Sequence, residues 1–254
     1  MKGRLVVFLQ ITFLLLITFG CSERLKLKRT ESRLYSITDQ LPVDSSILAF
    51  YKPYKMAIDS QINAEIGIAA VDITAKRPEG LLNNLLVDAM AEVTTQHGIT
   101  FDFAHANYKS LRISIPKGKI KAFKIFEMMP FENNLVTVKL DGPTAKSLFD
   151  YMAEAGGDPI AGASYRIEKG KAVDIRIKGS AFDITQTYIV LTNDYLANGG
   201  DKALVYKRGI ERQDHAVRVR DAIFNYIKQQ TAEGKSINPT IEGRVTSDKP
   251  EANE

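Results

Sequence analysis

The sequence predicts a single α+β domain, a mixed sheet with helices packed on it, over residues 45–245. Apolar residues recur at helical spacing in two long runs, one in the first half of this span and one near its end. Between them lie short runs of alternating apolar and polar residues, separated by Gly, Asp and Pro turn signals. Composition is that of an ordinary globular protein, 44% hydrophobic and 25% charged. A chain of 254 residues has room for one or two domains, and the span 45–245 is long enough to bury a core. There is no internal repeat and no low-complexity stretch.

Residues 1–20 read as an export signal. Lys2 and Arg4 precede the apolar run Leu5–Phe19, which is too short for a bilayer span needing about 20 residues. The run ends at Gly20-Cys21-Ser22, and Cys21 is the only cysteine. A lone cysteine directly after a small residue resembles a bacterial lipoprotein box, with Thr18 where leucine is usual. That resemblance implies lipidation at Cys21, a membrane contact through the lipid anchor, and a place in the bacterial cell envelope facing periplasm or exterior. Residues 21–44 then form the lipidated N-terminus and a polar tether. Residues 246–254 form a polar tail.

Within the domain, Leu81, Leu82, Leu85, Leu86, Ala89, Met90 and Val93 predict a helix over 79–96, closed by His97-Gly98. Phe101, Phe103, His105 and Asn107 alternate with Asp102, Ala104 and Ala106, which predicts a strand. Leu111, Ile113 and Ile115 predict another, ended by Pro116-Lys117-Gly118. Leu135–Leu140 is a strand closed by Asp141-Gly142, and Pro143 opens a helix to about Ala155. Lys169-Gly170 joins strands 165–167 and 173–177 as a hairpin; Tyr188–Thr192 is a further strand. Val217, Val219, Ile223, Phe224 and Ile227 predict a last helix over 216–229.

Several functions are disfavoured. One cysteine and three histidines nearly exclude a Cys/His zinc cage. Formal charge is +4, and losing Lys2 and Arg4 with the leader takes it to +2, so nothing in the charge balance calls for nucleic acid. Gly-rich phosphate loops and the G-x-S-x-G elbow are absent from the sequence. His97, His105 and His215 lack the neighbours that build a two-metal phosphatase site. His105 reads as a hydrogen-bonded core or rim residue, and His215, after Asp214 at the start of a helix, as a surface residue.

Five segments read in order narrow the problem. They are Ala106–Gly118, Met129–Val136, Ile177-Lys178-Gly179, Tyr188-Ile189-Val190 and Asn193–Asp201, and Arg220-Asp221-Ala222 and Ile241-Glu242-Gly243-Arg244 also fit. Together they resemble the C-terminal, substrate-specificity domain of the 5'-nucleotidases, with its N-G-G-G-I-R, P-F-x-N and F-x-A-x-G-G-D-G motifs. The resemblance spans nearly the whole domain. It implies a nucleotide or nucleoside ligand, and divalent metals carried by a separate metallophosphatase part. Only the tether precedes residue 45, so that part is expected on another chain and this one is not expected to be catalytic alone.

Residue by residue, the resemblance puts Phe131 and Tyr195 on either side of the base. Flat rings stack on any base, at about 1–3 kcal/mol each. Asn133 matches the amide that reads the base edge, offering donor and acceptor. Asp201 matches the carboxylate that accepts from ribose hydroxyls. Arg112 matches a phosphate-binding arginine, and Asn107 is the first residue of its loop motif. Lys76 or Arg77 falls near a second such arginine. The departures are on the phosphate side: Tyr108-Lys109-Ser110 replaces three glycines, and Lys202 replaces the last glycine of the third motif. The substituted loop is expected to crowd the phosphate or to be reshaped. Three functions follow as expectations: the recognising half of a split 5'-nucleotidase, a non-catalytic nucleotide- or nucleoside-binding lipoprotein, and an interaction lipoprotein with a decayed pocket.

Overall fold

A computed structural model describes residues 42–248, with 27, 29–36 and 38 ahead of them. The leader and Cys21 lie outside the described residues. Those described before Ser45 are exposed and carry neither helix nor strand. The chain divides into units 1–49 and 50–254, and the sheets and cores described below belong to the second.

The first helix, α1 (Ser45–Ile62), stands where the sequence reading offers no element. Its Phe50, Tyr51, Tyr54, Met56 and Ile58 are all exposed. Strand β1 (Glu65–Ala69) follows, then α2 (Leu81–Gln96). This helix starts two residues later than its periodicity predicts, because the buried Glu79 carboxylate is taken up outside it. That carboxylate accepts from Asn84 Nδ2 at 2.7 Å and from the Glu242 N–H at 2.9 Å. Strand β2 (Phe103–His105) is shorter than the alternation suggests. A 3₁₀ turn (Tyr108–Ser110), β3 (Gly118–Lys121) and α3 (Ala122–Met128) come next.

The strand expected over 111–115 does not form. Only Ile115 pairs, in a two-bond bridge with Ile73, while the Arg112 N–H donates to Met128 O. With no strand alongside, Leu111 and Ile113 reach the core from irregular chain. Strand β4 (Asn134–Asp141) runs into α4 (Gly142–Glu154), which Asp141 caps by accepting from the Thr144 N–H at 2.7 Å. Next come β5 (Ile160–Ala161), β6 (Ala163–Glu168) and β7 (Lys171–Ile177). The predicted Lys169-Gly170 hairpin is present, with both residues left-handed, as a two-residue turn on right-twisted strands requires.

The rest is β8 (Ser180–Ala181), β9 (Thr187–Asn193), α5 (Asp194–Ala197), two 3₁₀ segments (Gly200–Lys202, Leu204–Arg208), β10 (Glu211–Arg218), α6 (Val219–Ala232) and β11 (Val245–Ser247). Two expectations are corrected here. Residues 216–218 belong to β10, and the last helix begins at Val219. His215 is therefore not a surface residue at a helix start. It is buried on β10, 3.0 Å from Thr137 Oγ1, and burial lowers its pKa. Residues 246 and 247, placed in the polar tail by sequence, continue β11 alongside β6.

The central sheet has the order β10-β4-β9-β2-β5. Along its strands neighbouring residues enter opposite cores: Phe103 and Ala104, Leu135 and Val136, Ile160 and Ala161, Val190 and Leu191. One core is filled by α2, α3 and α6, the other by α4 with β6 and β7. Strands β2 and β9 are parallel, while β4 runs antiparallel to β9 with Leu135 opposite Asn193. The ends of β2 and β9 and the start of β4 therefore share one edge of the sheet. The three motif loops leave the sheet there.

Candidate functional site

A cavity of about 440 Å³ lies at that edge. Asn107, Arg112, Phe131, Asn133, Tyr195 and Asp201, the six side chains singled out from sequence, all line it, joined by Lys109, Ser110 and Leu111. Its volume falls in the range of small-molecule sites, and its lining mixes two rings and an aliphatic side chain with a few polar groups.

The polar wall is one hydrogen-bonded chain. Asn193 caps α5, its Oδ1 accepting from the Leu196 N–H at 2.9 Å, which turns its Nδ2 toward Asn107 Oδ1 at 3.3 Å. That leaves Asn107 Nδ2 to donate to Asp201 Oδ2 at 2.8 Å, and Tyr195 Oη donates to Asp201 Oδ1 at 3.1 Å. The Asp201 N–H returns a bond to Tyr195 Oη at 3.1 Å, and Tyr151 Oη donates to the Asp201 carbonyl at 3.0 Å. A carboxylate has about four acceptor positions. Two are used, so Asp201 can still accept from ligand hydroxyls.

Asp201 sits in left-handed backbone (φ 49°), as does Lys202 (φ 66°). Ahead of them, a Cβ at Gly200 would stand 2.5–2.6 Å from three atoms of the Tyr195 ring. Glycine there lets the ring lie flat on the backbone. The Tyr195 side chain is 43% exposed, so the ring keeps open surface at the cavity.

The opposite wall is the loop 129–133 between α3 and β4. Arg220 on α6 is buried and fastens it. Its Nη1 reaches Phe131 O at 3.3 Å and Met129 O at 3.5 Å, its Nη2 pairs with Glu132, and its guanidinium covers the Phe126 ring at 4.5 Å. The hydrogen bond from Arg220 holds the Glu132 carboxyl below its usual range. The Val219 N–H donates to Asn133 O at 2.9 Å. Phe131 is half-buried against the α2–α3–α6 core, and Arg112 lies over its ring, 5.1 Å from the centroid.

The third wall is the substituted loop. Tyr108-Lys109-Ser110 is wound into the 3₁₀ turn, which places Lys109 and Ser110 at the cavity. Tyr108 turns away, its ring 4.5 Å beneath the Arg77 guanidinium. Ser110 is buried and donates to Asn107 O at 2.7 Å. Behind the turn, buried Asp158 accepts from the Tyr108 N–H and from Arg77 Nη2, each at 3.2 Å, and faces His105 Nε2 at 3.5 Å. Burial pushes the Asp158 carboxyl up, but His105, the Tyr108 N–H and Arg77 outweigh it and leave it below 3.8. His105 is a core residue, 2.7 Å from Tyr206 Oη.

Sequence reasoning passed over Asp158 and Tyr151, and it quoted Arg220 and Asn193 within motifs without giving either a role. Asn193 carries a readable signal, an amide ahead of an acidic first helical turn. Asp158 follows two glycines in irregular chain and has none. Arg77 is held by Asp158 and Gly157 O, and neither it nor Lys76 lines the cavity.

No group of three or more His, Cys, Asp or Glu able to hold a metal ion occurs among the described residues. The three histidines are bonded to Val93 O, to Tyr206 and to Thr137. The described residues therefore do not fit the divalent metals that a 5'-nucleotidase resemblance implies.

Residues 62–208 match the family profile described as 5'-nucleotidase, C-terminal domain. The chain belongs to this family. The 5'-nucleotidase of Vibrio vulnificus is 23% identical over 194 residues, which cover 73% of this chain and 34% of that protein. The crystal structure of a 5'-nucleotidase precursor from Thermus thermophilus superposes with a TM-score of 0.67 at 28% identity, over 81% of this chain and 43% of that one. A putative 5'-nucleotidase from Staphylococcus aureus shares the fold, with a TM-score of 0.64 at 17% identity over 83% and 45% of the two chains. The chain thus spans about a third of the length of its Vibrio relative.

Proposed function

We propose that this domain is the nucleotide- or nucleoside-recognising part of a 5'-nucleotidase, and that hydrolysis takes divalent metals held on a separate metallophosphatase chain. The observation that carries the reading is the convergence of Phe131, Tyr195, Asn133 and Asp201 on one cavity, from loops up to about 70 residues apart in a shared-edge arrangement. Two rings offer stacking surface, an amide offers both hydrogen-bond senses, and an anchored carboxylate has acceptor positions left for a diol. Membership of the family and the names of the relatives support the nucleotide class.

The same proposal includes export by residues 1–20, a lipid on Cys21 and a place in the bacterial cell envelope. Cys21→Ser is then expected to move the protein from the membrane pellet to the soluble fraction.

Calorimetric titration of the full chain with adenosine and AMP, free of metal, tests recognition, and saturable binding of either is expected. AMP hydrolysis assays with added Mn²⁺ test the division of labour. Turnover by this chain by itself would overturn the assignment of hydrolysis to a second chain.

A further inference from the structure

The cavity's cations are few, and four of the six backbone donors of the 107–112 loop are already committed. Four N–H groups of the 107–112 loop point back into the protein. Tyr108 donates to Asp158 Oδ1, Ser110 to Asn107 O, Leu111 to Tyr108 O and Arg112 to Met128 O, at 3.0–3.2 Å. The Ser110 hydroxyl also donates inward. Arg77, the nearby guanidinium, is held by Asp158, by Gly157 O and by the Tyr108 ring. The positive groups lining the cavity are Lys109 and Arg112, both exposed side chains. Lys109 makes no hydrogen bond or ion pair among the described residues, and Arg112 rests on Phe131.

A preorganised phosphate site needs donors aimed at the anion and shielded from water. Here most of the N–H groups of the loop that would provide them are spent inside the protein. The nucleoside side is built in the opposite way, with Asp201, Asn107 and Tyr195 locked into one network and Phe131 held by a loop that Arg220 fastens.

We propose that the cavity selects the nucleoside portion of its ligand and reads the 5'-phosphate only through the side chains of Lys109 and Arg112. Its ligand class is the nucleosides and their 5'-substituted forms, with no requirement for a monoester phosphate. This rests on the nucleoside reading above. An exposed ion pair contributes about two- to fivefold in affinity. Two of them separate AMP from adenosine by about tenfold at 0.1 M salt, and the gap closes at 1 M, where the screening length is only about 3 Å.

The test is titration of the full chain with adenosine and with AMP at both salt concentrations, repeated on Lys109→Ala. The expected result is a modest AMP preference that salt erases. Lys109→Ala should lower AMP affinity by about two- to fivefold and adenosine affinity by less. An AMP preference above about 100-fold, or one surviving 1 M salt, overturns this inference and leaves the nucleoside reading intact. Equal losses for the two ligands in Lys109→Ala also overturn it. Binding of neither ligand by the unaltered chain overturns the nucleoside reading and this inference with it.

Discussion

At the scale of single residues, Tyr195 has two separable duties. Its ring lies over Gly200 with open surface at the cavity, and its hydroxyl donates to Asp201. Tyr195→Ala removes both and is expected to weaken nucleoside binding by about 1–3 kcal/mol. Tyr195→Phe keeps the stacking surface and loses the two hydrogen bonds between the hydroxyl and Asp201, each worth about 0.5–1.5 kcal/mol. Equal losses in the two variants, measured by calorimetry, would show that the ring does not stack. Lys202 makes a different prediction. A left-handed non-glycine residue costs about 1–2 kcal/mol in strain, and the extra conformational freedom that glycine loses on folding offsets about 0.5–1 kcal/mol of its relief. Lys202→Gly is therefore expected to raise stability by about 0.5–1 kcal/mol, read from the urea midpoint. Lys202 is the residue that departs from the last glycine of the family motif, and its φ of 66° gives the physical reason glycine suits that place.

At the scale of elements, the site is held by pieces that do not line it. Asp158 ties the 3₁₀ turn to Arg77, and Arg220 ties the 129–133 loop to α6. Removing one partner of a buried ion pair strands the other. Asp158→Asn is expected to cost about 2–4 kcal/mol, below the fully buried case because Arg77 remains partly in solvent. The pH dependence has a definite sign. The folded-state pKa of Asp158 lies below its usual 3.8, so its stabilisation is complete above that value and is lost as pH falls through the folded-state pKa. Urea midpoints from about pH 7 down to about pH 3 should decline in acid for the unaltered protein and less steeply for Asp158→Asn. These supports mark the boundary of what sequence discloses. Helix α2, strands β4 and β9 and the 169–170 hairpin are legible because periodicity and turn chemistry are local. The cavity side chains are legible because they sit in short motifs. Asp158 and Arg220 act across 50 and 89 residues, on Tyr108 and Phe131; nothing local announces Asp158, and the Arg220-Asp221-Ala222 motif marks Arg220 without disclosing what it holds. The failed strand at 111–115 has the same cause: alternation is local, but a strand also needs a neighbour to pair with.

At the scale of the whole domain, the site and the core are one structure. The cavity draws on the chain after β2, before β4 and after β9, three strands adjacent in a sheet whose two faces carry the two cores. No single segment contains the site. It exists only while these strands are paired, so opening the central sheet releases the ligand. Ligand binding must then stabilise the domain as a unit, by RT ln(1 + [L]/Kd), about 2.7 kcal/mol at a hundredfold excess over Kd. For a domain of this size each kcal/mol moves Tm by about 2–4 °C. Saturating adenosine is expected to raise the midpoint of a single melting transition by about 5–10 °C. Tyr195→Ala, at the same ligand concentration, should lose most of that shift while melting close to the unaltered protein without ligand, because its ring is at the surface and not in either core. Two transitions, only one of them moved by adenosine, would mean that the cores on the two faces of the sheet unfold independently and that the site belongs to one of them.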